Sequence, residues 1–220
     1  MKKYLKLILT LLIFNNVYSQ NVSIKSNPGT PSANIIIGYS NYNVTEALYN
    51  DAEIGSNTFT NTGFEISALG VYVSTIGSPT LASGYKIWMK NTTTSSLAVT
   101  TYSTAGYTLV FNGSINPTST GLYKIILNTP FKRISGNNLQ IMFERNDGVY
   151  NTGFTFDVSL GNNISSTALT CRRYNGTSPI SSFTSLSVSS YRPAIQLICP
   201  SPYDAAVNGF VNPTISCYSS

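Results

Sequence analysis

The stretch Asn138–Arg145 reads NLQIMFER, and its apolar residues alternate. Leu139, Ile141 and Phe143 fall on one side of an extended chain, and Gln140, Met142 and Glu144 on the other. The same period of two recurs along the chain in short runs separated by Gly, Pro, Asn and Ser. Tyr85, Ile87 and Met89 share a face, and so do Phe154, Phe156 and Val158. No sustained spacing of three and four residues appears after the first twenty positions. Strands are predicted in ANIIIGYS (34–40 region), VTEALYN, GFEISALGVYVSTI with a bend at Gly70, SGYKIWMKN, YTLVFNGS, GLYKIILN, NLQIMFER, TGFTFDVSL, STALTCRRYN and RPAIQLIC. Ten strands exceed what one sheet usually carries, so two packed antiparallel sheets are expected. The uneven loops favour a jelly-roll-like sandwich over a meander. Ile87, Leu139, Ile141, Phe143, Phe154 and Phe156 are its expected core.

The first nineteen residues stand outside that fold. MKKYLK is basic, LILTLLIF is apolar, and the run ends on small Ser19, which is the pattern of a secretory signal cleaved after Ser19. A membrane anchor is the competing reading, but the apolar run is well short of the roughly 20 residues a span needs. Lys2, Lys3 and Lys6 leave with the signal, so thirteen basic residues become ten against eight acidic ones, and the net charge falls from +5 to +2. No basic stripe remains to suggest nucleic acid. Residues 20–33 read as a lead-in, 34–199 as the sandwich, and 200–220 as a linker with a further strand pattern.

The sequence has no histidine, which excludes His-based acid–base chemistry, His-containing triads and most transition-metal sites. Three cysteines, Cys171, Cys199 and Cys217, leave one thiol without an internal partner in an oxidising compartment, and their pairing stays open. Sequons such as Asn43-Val44-Thr45 matter only where a glycosylation machinery meets the chain.

Three groups of residues carry candidate chemistry. Asp51 and Glu53 in NDAEIG, with Glu144 and Asp147 in FERND, are oxygen ligands suited to a structural Ca²⁺. The plainer reading is that they are loop and turn residues at strand ends, and a pair of acids could also serve a His-free glycoside hydrolase. Trp88, the one tryptophan, is expected to face outward between Lys86 and Lys90. There it could stack on a sugar ring, or lie under a loop or over the lysine stems. Arg172 and Arg173 suit an anionic ligand or an ordinary charged edge strand.

The stretch ALYNDAEIGSNTFTNTGFEISALGVYVSTIGSPTLASGYKIWMKNTTTSSL resembles a module of secreted Bacteroidetes proteins. TLVFNGSINPTSTGLYKIILNTPFKRISGNNLQIMFERND is similar to the continuation of that module, and YRPAIQLIC to its closing strand. The likeness spans roughly Ile35 to Cys199. It implies a jelly-roll-like sandwich in multidomain cell-surface or secreted proteins of the type IX secretion cargo kind. It also implies a non-catalytic role in adhesion, glycan binding or spacing, or an accessory carbohydrate-binding unit of a secreted hydrolase. The tail DAAVNGFVNPTISCYSS resembles the first strand of an Ig-like adhesion module, so the resemblance implies a chain that stops inside a second module.

Overall fold

The computed structural model describes residues 21–24, 30–32, 36, 40–55, 64–76, 82–97, 102–150, 154–160, 171–180, 186–189 and 191–199. The expected signal, the 200–220 segment and Cys217 lie outside these residues. The described chain forms β1 (Asn21–Ile24), β2 (Thr30–Ser32), β3 (Tyr42–Tyr49), α1 (Asp51–Gly55), β4 (Phe64–Ile76), β5 (Ala82–Thr92) and β6 (Thr108–Ile115). It continues through β7 (Gly121–Arg133), β8 (Asn138–Arg145), β9 (Phe154–Leu160), β10 (Cys171–Gly176), β11 (Ser187–Ser189), β12 (Tyr191–Pro193) and β13 (Ile195–Ile198).

These strands make two antiparallel sheets. The first runs β1-β13-β4-β9-β12, with β7 on β4 and β2 on β9. The second runs β11-β10-β3-β8-β5-β6. The chain passes repeatedly from one sheet to the other: β3 lies in the second, β4 in the first, β5 and β6 in the second, β7 in the first. Long crossings of this kind bring strands distant in sequence side by side, as in a jelly roll. The fold is an all-β sandwich.

One apolar face of each sheet makes the shared core. The first sheet contributes Leu69, Val71, Ile125 and Leu197, and the second Tyr49, Ile87, Ile141 and Phe143. All six expected core residues are buried, because alternation on a pleated strand puts every second side chain between the sheets. Burying each such side chain contributes about 1.5–3 kcal/mol.

The structure differs from the sequence reading at three places. Residues 20–33 are more than a lead-in, since β1 pairs with β13 and β2 with β9. Val22 and Ile24 alternate over only four residues, and β2 contains a proline, so neither run is long enough to stand out. Ile36, within the predicted 34–40 strand, lies at a bend and is buried in the core. The long strand β4 does not bend at Gly70. Its register shifts fall between Ile66 and Ala68 against β7, and between Val73 and Thr75 against β9. Gly70 instead provides clearance: a Cβ there would lie 2.7 Å from Leu122 Cδ1.

Arginines fasten the two sheets at their margins. Arg192 on β12 donates to the Leu48 carbonyl and to Glu53, and lies over the Tyr49 ring at 4.6 Å. Tyr49 in turn donates its hydroxyl to the Pro193 carbonyl at 2.8 Å. Arg133, at the end of β7, pairs with Asp51. The helix that presents both acids starts on a capping arrangement, in which the Asn50 amide donates to Glu53 Oε2 at 2.9 Å.

Phe143 is fully buried at the centre of this core. Replacing it with Ala is expected to lower stability by about 3–5 kcal/mol, read as a shift in the urea unfolding midpoint. An unchanged midpoint would overturn the face assignment of β8.

Candidate functional site

The second sheet has an outer face as well, and its central strands are buried there too. Residues Asn43 to Tyr49 of β3 and Leu139 to Arg145 of β8 are buried without interruption. Such double burial belongs to strands covered on both sides. Strand register fixes what faces outward. Val44, Glu144 and Lys86 form one row across β3, β8 and β5. Glu46, Met142 and Trp88 form the next, and Leu48, Gln140 and Lys90 the third. Tyr174 on β10 lies beside Val44.

A second, smaller apolar cluster covers this face. Val44, Met142, Ile180 and Leu186 are buried in it, and Tyr42, Trp88, Tyr102, Tyr107 and Tyr174 pack against it. Tyr102 and Tyr107 come from the segment between β5 and β6. Ile180 and Leu186 come from the connection between β10 and β11.

Two carboxyl groups lie inside the cover, each 2% exposed: Glu46 and Glu144. They are diagonal neighbours on adjacent strands. Glu144 Oε2 accepts from the Trp88 indole N–H at 2.9 Å and from the Tyr102 hydroxyl at 2.9 Å. Its Oε1 meets Lys86 Nζ at 3.5 Å. Glu46 Oε1 accepts from the Tyr107 hydroxyl. Lys90 Nζ stands 5.4 Å from the centre of the Tyr107 ring. A buried carboxylate is tolerated only with donors of this kind around it. Burial pushes the Tyr102 phenol well above the ordinary tyrosine range, and the negative charge and hydrogen bond of Glu144 push it further the same way.

The structure thus brings Trp88, Lys86, Lys90 and Glu144 of the candidate residues onto one face. Trp88 points away from the main core, as alternation requires, and is half-buried under the tyrosines rather than bare. Glu46, Tyr102 and Tyr107 were not singled out from the sequence. Glu46 carried a signal: in VTEALY it alternates with Val44 and Leu48, opposite the inward-facing Thr45 and Ala47. The tyrosines carried none, because only the folded loop places them.

The other acids lie elsewhere. Asp51 and Glu53 sit beyond the Tyr49 end of β3, with Arg133 and Arg192. Asp147 sits beyond the opposite end of the sheet, where Arg145 Nε is 3.3 Å from its Oδ1. Asp51 also accepts from the Gly136 amide at 3.1 Å, and Asp147 from the Val149 amide at 3.0 Å. Among the described residues, no three His, Cys, Asp or Glu side chains come together as a metal site. Arg172 and Arg173 lie on β10, opposite Glu46 and Thr45 in register, and their side chains fall outside the described part. Cys199 is buried in the main core. Among the described residues no helix is long and apolar enough to cross a membrane.

No protein-family model matches the chain, and no curated protein matches it.

Two outcomes follow from these pairings. Because arginines already face Asp51, Glu53 and Asp147, the thermal midpoint is expected to be the same in chelator and in millimolar Ca²⁺. A rise with Ca²⁺ would reveal mass-action binding to the folded chain. The second concerns alkali. Burial raises the Tyr85 phenol well above its ordinary value, against the opposing pull of Arg145, and Tyr102 is raised too. In the unfolded chain both titrate near pH 10. Their protonated forms are therefore favoured by folding; that stability is intact below about pH 10 and lost as pH climbs above it. Phenolate absorbance at 295 nm should show the exposed tyrosines ionising first, and Tyr102→Phe should flatten the alkaline loss of stability.

Proposed function

We propose that this chain is a non-catalytic, secreted or cell-surface β-sandwich module that binds carbohydrate on the outer face of its six-stranded sheet. One observation carries the reading: Trp88 and four tyrosines pack on that face, where two buried carboxylates accept hydrogen bonds from Trp88, Tyr102 and Tyr107. A sugar ring has an apolar face of C–H groups and a rim of hydroxyls. Aromatic faces suit the first, and fixed carboxylate acceptors with flanking lysines suit the second. The signal-like leader supports an extracytoplasmic setting. The likeness to secreted Bacteroidetes modules supports a place in a multidomain surface protein or beside a secreted hydrolase.

A second reading has its own observation. Glu46 and Glu144 are diagonal on neighbouring strands, and two carboxyl groups on one face are the machinery of a glycoside hydrolase. The binding reading is favoured because Lys86 and Trp88, both fixed on β5, already hold Glu144. Neither partner suits a group that must give a proton to a leaving oxygen.

The test uses the only tryptophan as reporter. The mature chain is titrated with cellohexaose, xylohexaose and mannohexaose while Trp88 fluorescence is followed. At least one is expected to change the emission saturably, and Trp88→Ala to weaken its binding, measured calorimetrically, by about tenfold or more. No response to any of the three at millimolar concentration would overturn the carbohydrate reading. Release of reducing ends, abolished by Glu144→Gln, would favour the hydrolase.

A further inference from the structure

The groups around the two buried carboxylates have different origins. Glu46, Glu144, Lys86 and Trp88 stand on β3, β8 and β5, inside one hydrogen-bonded sheet. The two hydroxyls that complete the cluster do not. Tyr102 and Tyr107 both belong to residues 102–107, the last part of the connection from β5 to β6, which lies over the sheet. Its end forms a tight turn. The Tyr107 amide donates to the Thr104 carbonyl at 3.1 Å, and the Ala105 amide to Ser103 Oγ at 3.2 Å. Gly106 turns the chain at a φ of 76°, a conformation that disfavours any residue with a Cβ. Ala105 and Gly106 are exposed at its tip.

We propose that residues 102–107 form a displaceable cover, in which the Tyr102 and Tyr107 hydroxyls hold the places that two hydroxyls of a neutral sugar take when it binds. This rests on the carbohydrate reading of the face. A phenol O–H donating to a carboxylate makes the same charge-assisted hydrogen bond as a sugar O–H. Diagonal residues of paired strands stand about 7–8 Å apart, a span within the length of a disaccharide. An acidic sugar would meet two buried carboxylates, so a neutral one is specified. The cover also resolves a conflict in the free protein. Two carboxylates kept ready for a ligand need donors while it is absent, and the tyrosines supply them. On displacement, the ring of Tyr107 leaves Lys90, and Trp88 is uncovered for stacking.

Two variants test this. Tyr102→Phe with Tyr107→Phe keeps both rings and removes both hydroxyls. Gly106→Ala keeps both tyrosines and strains the turn. Acrylamide quenching of Trp88 needs no ligand and should rise in both variants. Titration with cellohexaose, xylohexaose and mannohexaose should show the double variant binding at least about tenfold more tightly than the parent, as expected when one hydrogen bond's worth of competition is removed. Unchanged quenching in both variants would overturn the cover. Parent binding that is unaltered or weakened by the double substitution would do the same and leave the carbohydrate reading standing. More quenching with no binding of any of the three sugars by any form would overturn the carbohydrate reading, and this inference with it.

Discussion

Strands β3 and β8 are buried on both faces, and the rest of the molecule is arranged around that constraint. Their inner face meets the first sheet and needs only apolar side chains. Among the described residues no third sheet meets their outer face, yet it carries Val44, Met142 and two glutamates at positions hidden from water. Loops must therefore cover it, and the loops must bring donors. This explains why so many of the contacts on this side involve tyrosine. The residue has a ring to fill space over Val44 and Met142 and a hydroxyl to reach a carboxylate, and both ends are used.

The margins of the sandwich obey the same rule with other residues. A sandwich leaves its sheet edges and strand ends exposed, and here arginines join them. Arg192 is 1% exposed and reaches a carbonyl, a carboxylate and an aromatic face. Arg145 is buried beside Asp147 and donates to the Val149 carbonyl at 2.5 Å. The planar guanidinium satisfies several acceptors at once, which a lysine ammonium does with less directional control. Burial lowers the Arg145 value from its usual range, and the neighbouring Asp147 and Tyr85 pull it back. Removing one member of such a pair leaves the other uncompensated, at a cost of about 3–5 kcal/mol. Asp51, Glu53 and Asp147 each face an arginine in this way.

Much of the main core was legible because alternation is a local property. In NLQIMFER every second residue faces the first sheet, and nothing further along the chain can change that. The outward orientation of Trp88 came from the same rule. What covers an outward residue depends on connections whose path no local pattern fixes. Tyr102 and Tyr107 are therefore invisible as site residues until the 102–107 segment is seen on the sheet. The acids show the complementary limit. Asp51, Glu53, Glu144 and Asp147 looked alike as oxygen ligands, but two are matched by arginines 82 and 139 positions away, one by an arginine two positions away, and one faces an indole. Charge partners in a fold of long crossings are set by topology, so a carboxylate's role was legible only where its strand partners were.

The placement of the carboxylates also bears on why the site is built on this sheet. The first sheet carries its own exposed apolar residues, Leu122 and Ile126, but its outer face presents the small Ala68 and Gly70 between them. On the second sheet, β3, β8 and β5 place a carboxylate, an indole and an ammonium on adjacent strands, at fixed register and without dependence on loop conformation. A recognition surface built that way keeps its geometry when its cover moves, because the sheet hydrogen bonds and the core beneath it hold every acceptor in place. The cost of that rigidity is two acids sealed in an apolar layer, and the tyrosines are the least disruptive groups that can offset it. They bury well and they donate, and the turn that carries Tyr107 is held by the Tyr107 amide on the Thr104 carbonyl and the Ala105 amide on Ser103 Oγ.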